Sequence, residues 1–206
     1  MNKLILTIFI FSSIVFPQQV KNWQNFTNLR QIVDLELTGE IIWAATSGGV
    51  FQYSLIDESF LILTKSEGIS SHTITSIATD SSNKVWLGTS EGYVDVYDPS
   101  TAEVNTILQI FKSDRSNKRI NDIQISGDTA YISTAFGLSL VNTKDLSFFD
   151  SILKFGEFST ETPVNSVFLD EYIYVVTQAG LAINDKGNTN LIAPEAWSNI
   201  NLGEVI

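Results

Sequence analysis

The chain carries few of the side chains that usually perform catalysis. It has no cysteine and a single histidine, His72, which excludes a cysteine–histidine nucleophile pair and a zinc site of the usual composition. His72 follows Ser70 and Ser71 in a polar stretch of sequence. A pairing with either serine would be local and has no orienting acid, which a catalytic triad requires. We therefore interpret His72 as an ordinary loop residue.

Acid–base chemistry or ion binding would instead need carboxylates that converge on one point. Asp34 and Asp122 are the candidates, because each lies near the start of a predicted strand where a core strand would be apolar. Serine takes the corresponding place twice, at Ser76 and Ser166. Two interpretations stay open: the four residues line the solvated wall of a central channel, or Asp34 and Asp122 hold an ion or small ligand there. We predict no enzymatic activity, no cofactor and no metal.

Other polar residues have simpler interpretations. Asp80, Asp128 and Asp170 each come shortly before a predicted strand, where aspartate commonly caps a turn by bonding the backbone. The run 112–119 contains four positive charges and one negative charge. It is either a solvated loop or a docking site for an anionic partner, and such runs are more often solvated.

A repeat of about 43 residues positions these side chains. Apolar residues followed by Thr-x-x-Gly occur four times, with the threonines and the glycines both spaced by 43, 45 and 43 residues. A period in the low forties with strand-like content is typical of β-propeller blades. We expect the glycine at a tight hairpin with positive φ and the aromatic residue between neighbouring blades. The repeated residues are Trp43, Thr46, Gly49, Trp86, Thr89, Gly92, Tyr131, Thr134, Gly137, Tyr174, Thr177 and Gly180.

The repeat predicts an all-β fold, a partial β-propeller of four antiparallel four-stranded blades followed by the start of a fifth. The blades are expected at about 31–64, 74–110, 120–153 and 164–192. Similar segments mark the two ends: 22–27 is expected to be the outer strand of a closing blade, and 197–206 the start of the next blade. Because four such blades seldom close and strand edges are usually protected, we expect the N-terminal fragment of a longer protein.

Residues 1–19 predict a secretory signal peptide, because Lys3 precedes an apolar run from Leu4 to Phe16 that is too short to span a membrane. The mature chain, 20–206, is long enough to bury a stable core without disulfides. The full sequence has a formal charge of −11, from 23 acidic and 12 basic residues, and this excludes nucleic acid as a partner. We expect export to the periplasm or cell surface, without membrane insertion of the mature chain.

The pattern Trp-x-x-Thr-x-x-Gly followed by an apolar strand resembles the two-component-regulator propeller repeat. Further segments are similar, in order and spacing, to the PorZ-like N-terminal β-propeller family of the type IX secretion system; they are 23–26, 67–70, 120–123, 127–131, 136–138 and 196–199. The resemblance implies a non-enzymatic exported interaction module of a cell-surface attachment complex. Its partners would be proteins of that complex, or a surface glycan reached through the family's other domains. The alternative is the periplasmic sensor propeller of a hybrid two-component histidine kinase, which shares this repeat.

Overall fold

The computed structural model describes residues 28–185, 187 and 190–201, which form four antiparallel sheets of four strands each. The first sheet contains β1 (Ile32–Thr38), β2 (Ile41–Thr46), β3 (Gly49–Ser54) and β4 (Phe60–Leu63). The second contains β5 (Ile74–Thr79), β6 (Val85–Thr89), β7 (Val94–Asp98) and β8 (Glu103–Ile107). The third contains β9 (Ile120–Ser126), β10 (Thr129–Thr134), β11 (Gly137–Asn142) and β12 (Phe148–Ile152). The fourth contains β13 (Val164–Leu169), β14 (Tyr172–Thr177), β15 (Gly180–Asp185) and β16 (Ser198–Asn201).

The sheets are successive blades of a propeller, which confirms the fold predicted from the repeat. The first strand of each sheet contacts the first strand of the next, β1 with β5, β5 with β9 and β9 with β13, so these strands are innermost. Each chain segment from an outer strand to the next inner strand crosses one face of the molecule. We call this the loop face; it also carries the turns β2–β3, β6–β7, β10–β11 and β14–β15. The remaining turns lie on the opposite face because the strands alternate in direction.

The hydrophobic core lies between the blades as three clusters, one for each junction. The structure places three of the repeated aromatic residues inside these junctions: Trp43, Trp86 and Tyr131 are 3%, 0% and 7% exposed. Trp43 of the first blade meets Tyr97 of the second edge to face, with 5.9 Å between ring centroids. The fourth aromatic residue, Tyr174, is half-buried on the outer side of the fourth blade.

The Thr-x-x-Gly segments form the hairpins on the loop face. In the third blade the Thr134 hydroxyl donates to the Gly137 carbonyl oxygen at 2.9 Å and accepts from the Phe136 N–H at 3.2 Å. Gly137 has a φ of 149°, and a Cβ at this position would collide with the Ile152 carbonyl of the outer strand. Glycine is therefore required by both the backbone angle and the close approach of a neighbouring strand. The first and fourth blades repeat the threonine bond, whereas in the second the threonine bonds Tyr93.

The fourth blade extends beyond residue 192, where the sequence analysis expected it to end. The expectation that 197–206 starts the next blade is therefore wrong for residues 198–201. Residues 198–201 form β16, which pairs with β15 as the outer strand of the fourth blade, Asn199 opposite Ala182. The preceding segment is a connection, because Pro194 begins a short 3₁₀ turn and the buried Trp197 anchors the entry into β16.

Several expectations concern parts of the chain outside the described residues. These are the signal peptide at 1–19, the closing strand at 22–27 and the end of the chain at 202–206. Within the described part, no helix has the length and apolar character that crossing a membrane requires.

We expect Gly137→Ala to lower the free energy of unfolding by about 3 kcal/mol, since the new Cβ adds steric overlap to an unfavourable backbone angle. Gly127→Ala is the matched control: Gly127 also has positive φ, 58°, but a Cβ there meets nothing within 4 Å. Its cost should be about 1 kcal/mol. Chemical denaturation of both variants checks the difference, and equal costs would show that the outer strand does not approach Gly137 closely.

Candidate functional site

The inner strands share an irregularity where the candidate site residues lie. In each blade one residue of the inner strand is left out of the pairing with the second strand; these residues are Val33, Thr75, Asn121 and Asn165. Such a bulge redirects the neighbouring side chains. The Thr75 hydroxyl donates to the Ile120 carbonyl at 2.6 Å, and the Asn121 amide donates to the Val164 carbonyl at 2.7 Å. The small polar residues at strand starts therefore connect consecutive inner strands.

The two candidate carboxylates also connect blades. Asp34 accepts the Ile77 N–H of the second blade at 2.9 Å through one oxygen, and the Leu35 N–H at 2.9 Å through the other. Asp122 accepts the Val167 N–H of the fourth blade at 3.3 Å. Each aspartate thus accepts a hydrogen bond from a backbone N–H of an inner strand in the following blade. Buried backbone N–H groups need such a partner.

The serines that take the place of these aspartates, Ser76 and Ser166, do not bond a neighbouring inner strand in this way within the described residues. Ser76 is fully buried, and its side chain lies against Gly88 and Ile120, where a Cβ on Gly88 would collide with the hydroxyl. The hydroxyl oxygens of Ser76 and Ser133 are buried without a hydrogen-bond partner among the described residues. Ser166 is half-buried at the outer side of the fourth blade. Ser76 is therefore part of the junction between the second and third blades, not of a solvated channel wall.

The environment of Asp122 disfavours its charged form. Burial is the largest cause and raises the pKa of Asp122 above its ordinary value, and the negative charge of Asp34 raises it further. The hydrogen bonds that Asp122 accepts from Val167 and Gln124 act in the opposite direction. Among the described residues, no three histidine, cysteine or carboxylate side chains are grouped as metal ligands would be.

A groove of about 580 Å³ lies on the loop face between the second, third and fourth blades. The loop 112–119 forms one wall through Arg115 and Asn117, and Phe136 and Glu161 form the other. The Arg115 guanidinium pairs with Glu161 at 3.0 Å and lies 4.7 Å above the Phe136 ring centroid. The positive charge of Arg115 is therefore already engaged, and the groove is a mixed polar surface, not a purely cationic one.

Sequence reasoning missed the polar contact that fixes the loop before the second blade. Asp95, which is fully buried on β7, accepts hydrogen bonds from the Ser70 N–H at 2.6 Å, the Ser70 hydroxyl at 2.8 Å and the Thr106 hydroxyl at 2.7 Å. Ser71 donates to Glu91 at 2.7 Å. The serines beside the exposed His72 thus bond carboxylates. The available signal was a charged residue between two valines, Val94 and Val96, in a predicted strand.

The turn aspartates have separate roles. Asp80 accepts from the Ser82 and Lys84 N–H groups at 2.8 and 3.1 Å, as a turn cap does, and also from the Trp86 indole at 3.0 Å. Asp128 instead forms an exposed ion pair with Lys144 on the opposite face. Asp80 therefore caps its turn as predicted, whereas Asp128 forms an ion pair.

The raised pKa of Asp122 gives a test of the junction at the inner strands. Stability that depends on protonated Asp122 is present below the unfolded pKa of about 3.8 and is lost as the pH rises through the folded pKa. Asp122→Asn keeps an acceptor for Val167 and removes the charge. We therefore expect its free energy of unfolding, relative to the native chain, to increase between about pH 3.5 and about pH 7.

Asp145→Asn is the control of opposite sign. Hydrogen bonds from Ser147 lower the pKa of Asp145, so its charged form adds stability above the unfolded pKa that is lost as the pH falls. Relative to the native chain, this variant should become less stable over the same rise in pH. Denaturant titrations at both pH values measure how the difference in free energy of unfolding between each variant and the native chain changes with pH. A change of the same sign for the two variants would contradict the structure.

The fold of this chain resembles those of several solved β-propeller structures. PorZ, described as an essential surface component of the type-IX secretion system of Porphyromonas gingivalis, superposes with a TM-score of 0.72 at 20% identity, covering 86% of this chain and 23% of PorZ. The extracellular domain of BT4673 from B. thetaiotaomicron, named for a hybrid two component system, gives 0.68 at 21% identity over 83% of this chain and 22% of its own. The WD40 repeats of RRP9 give 0.64 at 10% identity over 84% and 52%.

At these identities the superpositions show the fold alone, and the chain spans less than a quarter of the length of PorZ and BT4673. No curated protein shows significant similarity to the chain. A family model carries the assignment: the N-terminal β-propeller domain of PorZ matches residues 42–198, which extend from the first blade to the outer strand of the fourth. The chain therefore belongs to the PorZ N-terminal β-propeller domain family.

Proposed function

We propose that this chain is the first propeller of an exported, non-enzymatic component that acts in type IX secretion or in attachment of secreted proteins to the cell surface. The observation that carries the proposal is the family match over residues 42–198, which extends from the second strand of the first blade to the start of β16 in the fourth. The likeness to the surface component PorZ and the signal peptide predicted at 1–19 support a location in the periplasm or at the cell surface.

The use of the carboxylates supports a binding role. Asp34 and Asp122, which acid–base chemistry would need, serve as acceptors for backbone N–H groups of the following blades. Asp95 is likewise committed to Ser70 and Thr106. Since function resides in sites and not in folds, the groove between 112–119 and Glu161 on the loop face is the surface we assign to partner binding.

A sensor propeller of a two-component system is the second candidate. The extracellular domain of BT4673 superposes with a TM-score of 0.68, close to the value of 0.72 for PorZ. In such a role the loop face would recognise a ligand whose binding is transmitted to the cytoplasm.

Deletion of the gene in the bacterium that encodes it tests the proposal. We expect proteins that normally reach the surface through type IX secretion to accumulate in the periplasm or escape into the medium, as measured by fractionation and immunoblotting. An unchanged distribution, with altered transcription of polysaccharide-utilisation genes, would contradict the proposal and favour the sensor.

Complementation with two matched variants tests the assigned surface. Arg115→Glu breaks the ion pair with Glu161 on the loop face, and Lys144→Glu breaks the ion pair with Asp128 on the opposite face. The Lys144–Asp128 pair is exposed, so Lys144→Glu should lower the free energy of unfolding by no more than about 1 kcal/mol. Arg115→Glu also removes the contact with the Phe136 ring and should cost about 1–2 kcal/mol, so the folded fraction of both variants is measured beside surface attachment. We expect Lys144→Glu to restore surface attachment and Arg115→Glu to restore much less. Equal restoration by the two variants would exclude the groove as the binding surface.

A further inference from the structure

The connection before the third blade concentrates positive charge on an acidic protein. Four of the 12 basic residues of the sequence lie within residues 112–119, which we call the basic loop, together with one acidic residue, Asp114. The full sequence carries a formal charge of −11. Because exposed charges more than about 8 Å apart are largely screened at physiological ionic strength, the basic loop keeps a positive potential beside the acidic remainder of the chain.

Hydrogen bonds hold both ends of the basic loop on the propeller. The Ser113 hydroxyl donates to the Ile110 carbonyl at 2.7 Å, and Ile110 is buried in the cluster between the second and third blades. At the other end, the Ala135 N–H of the β10–β11 turn donates to the Arg119 carbonyl at 3.0 Å. The charges of the loop are therefore ordered before a partner binds, which lowers the entropic cost of binding.

The cations of the basic loop keep N–H donors that a ligand can use. Lys112 and Arg119 are exposed and pair with no carboxylate of the described residues. Arg115 contacts Glu161 through its Nε at 3.2 Å and one Nη at 3.0 Å. A guanidinium has five N–H donors, so at least three donors of Arg115 remain for a ligand in the groove.

The aromatic rings beside these cations are already covered. Tyr93 stacks on the Phe111 ring with 4.2 Å between centroids, and the Lys118 ammonium lies over the same ring at 5.5 Å. The Phe136 ring in the groove is covered by Arg115 at 4.7 Å. A base or a sugar ring needs an open aromatic face to stack on, whereas a carboxylate needs only the N–H donors of the cations. The surface is therefore suited to carboxylates on flexible side chains.

We propose that the basic loop and the groove beside it bind an acidic segment of a protein partner. One carboxylate of the segment binds Arg115 in the groove, where the planar guanidinium fixes its direction, and others bind Lys112 and Arg119. The acidic remainder of the chain repels such a segment, so the charge distribution directs it to this surface. The inference rests on the proposed function, because it names the kind of partner that the groove takes.

Fluorescence anisotropy with the full-length exported protein and a fluorescein-labelled decapeptide of alternating glutamate and serine tests the inference. We expect binding with a Kd of about 10 µM at low salt, and none to the matching decapeptide of glutamine and serine. The double variant Lys112→Glu, Arg119→Glu should weaken binding about tenfold or more, because it replaces two attractive charges by repulsive ones. Both side chains are exposed, so the core is undisturbed.

The double variant Lys84→Glu, Lys144→Glu is the matched control, because it changes the net charge equally and both residues lie in turns of the opposite face. It should retain the native affinity for the acidic decapeptide. Equal weakening by the two double variants would show unspecific attraction and overturn the inference. An acidic decapeptide that does not bind, or polygalacturonate or polyphosphate that binds more tightly at equal concentration of charge, would also overturn it.

The peptide measurement and the gene deletion can fail separately. Loss of surface attachment on deletion, together with an acidic decapeptide that does not bind, would overturn the acidic segment and leave the proposed function in place. Binding of the decapeptide that only the loop variant weakens, together with an unchanged surface distribution on deletion, would support the acidic segment and contradict the role in secretion.

Discussion

A four-stranded sheet cannot bury both of its faces by itself, and this constraint governs the whole molecule. Each blade is apolar on both sides, so its stability comes from the blade that follows and the blade that precedes it. The three clusters at the junctions contain the largest buried side chains, among them Trp86 and Phe155. Among the described residues, the first and fourth blades are each covered by a neighbouring blade on one side, and Leu37 and Phe168 are exposed on the other.

Near the axis, where the inner strands approach one another, polar contacts supplement the apolar packing. The bulge in every inner strand interrupts the regular pairing, and in the first three blades a polar side chain in or beside the bulge bonds the next inner strand. Asp34, Thr75, Asn121 and Asp122 all make such bonds. Asp34 and Asp122, which suggested a channel site, thus connect neighbouring blades, and this supports the proposed partner binding at the loop face.

The loop face combines hairpins that repeat from blade to blade with connections that differ between blades. Its hairpins repeat, with threonine and glycine in fixed roles, whereas the connections between blades differ in length and in polar contacts. The connection before the second blade is held by Asp95, and the longer one before the third blade carries Arg115 to Glu161. Differences between otherwise equivalent loops are where a propeller acquires a specific partner.

The sequence by itself determined the four blades of the described residues and their hairpin residues, because a short-range repeat encodes strands and turns locally. Only the tertiary structure decided the roles of the polar residues. Whether Asp122 meets water, an ion or the Val167 N–H depends on the neighbouring blade, which lies about one repeat away in the sequence. The assignment of β16 to the fourth blade was likewise decided by pairing with β15, since an isolated four-residue segment has no local preference strong enough to select its sheet.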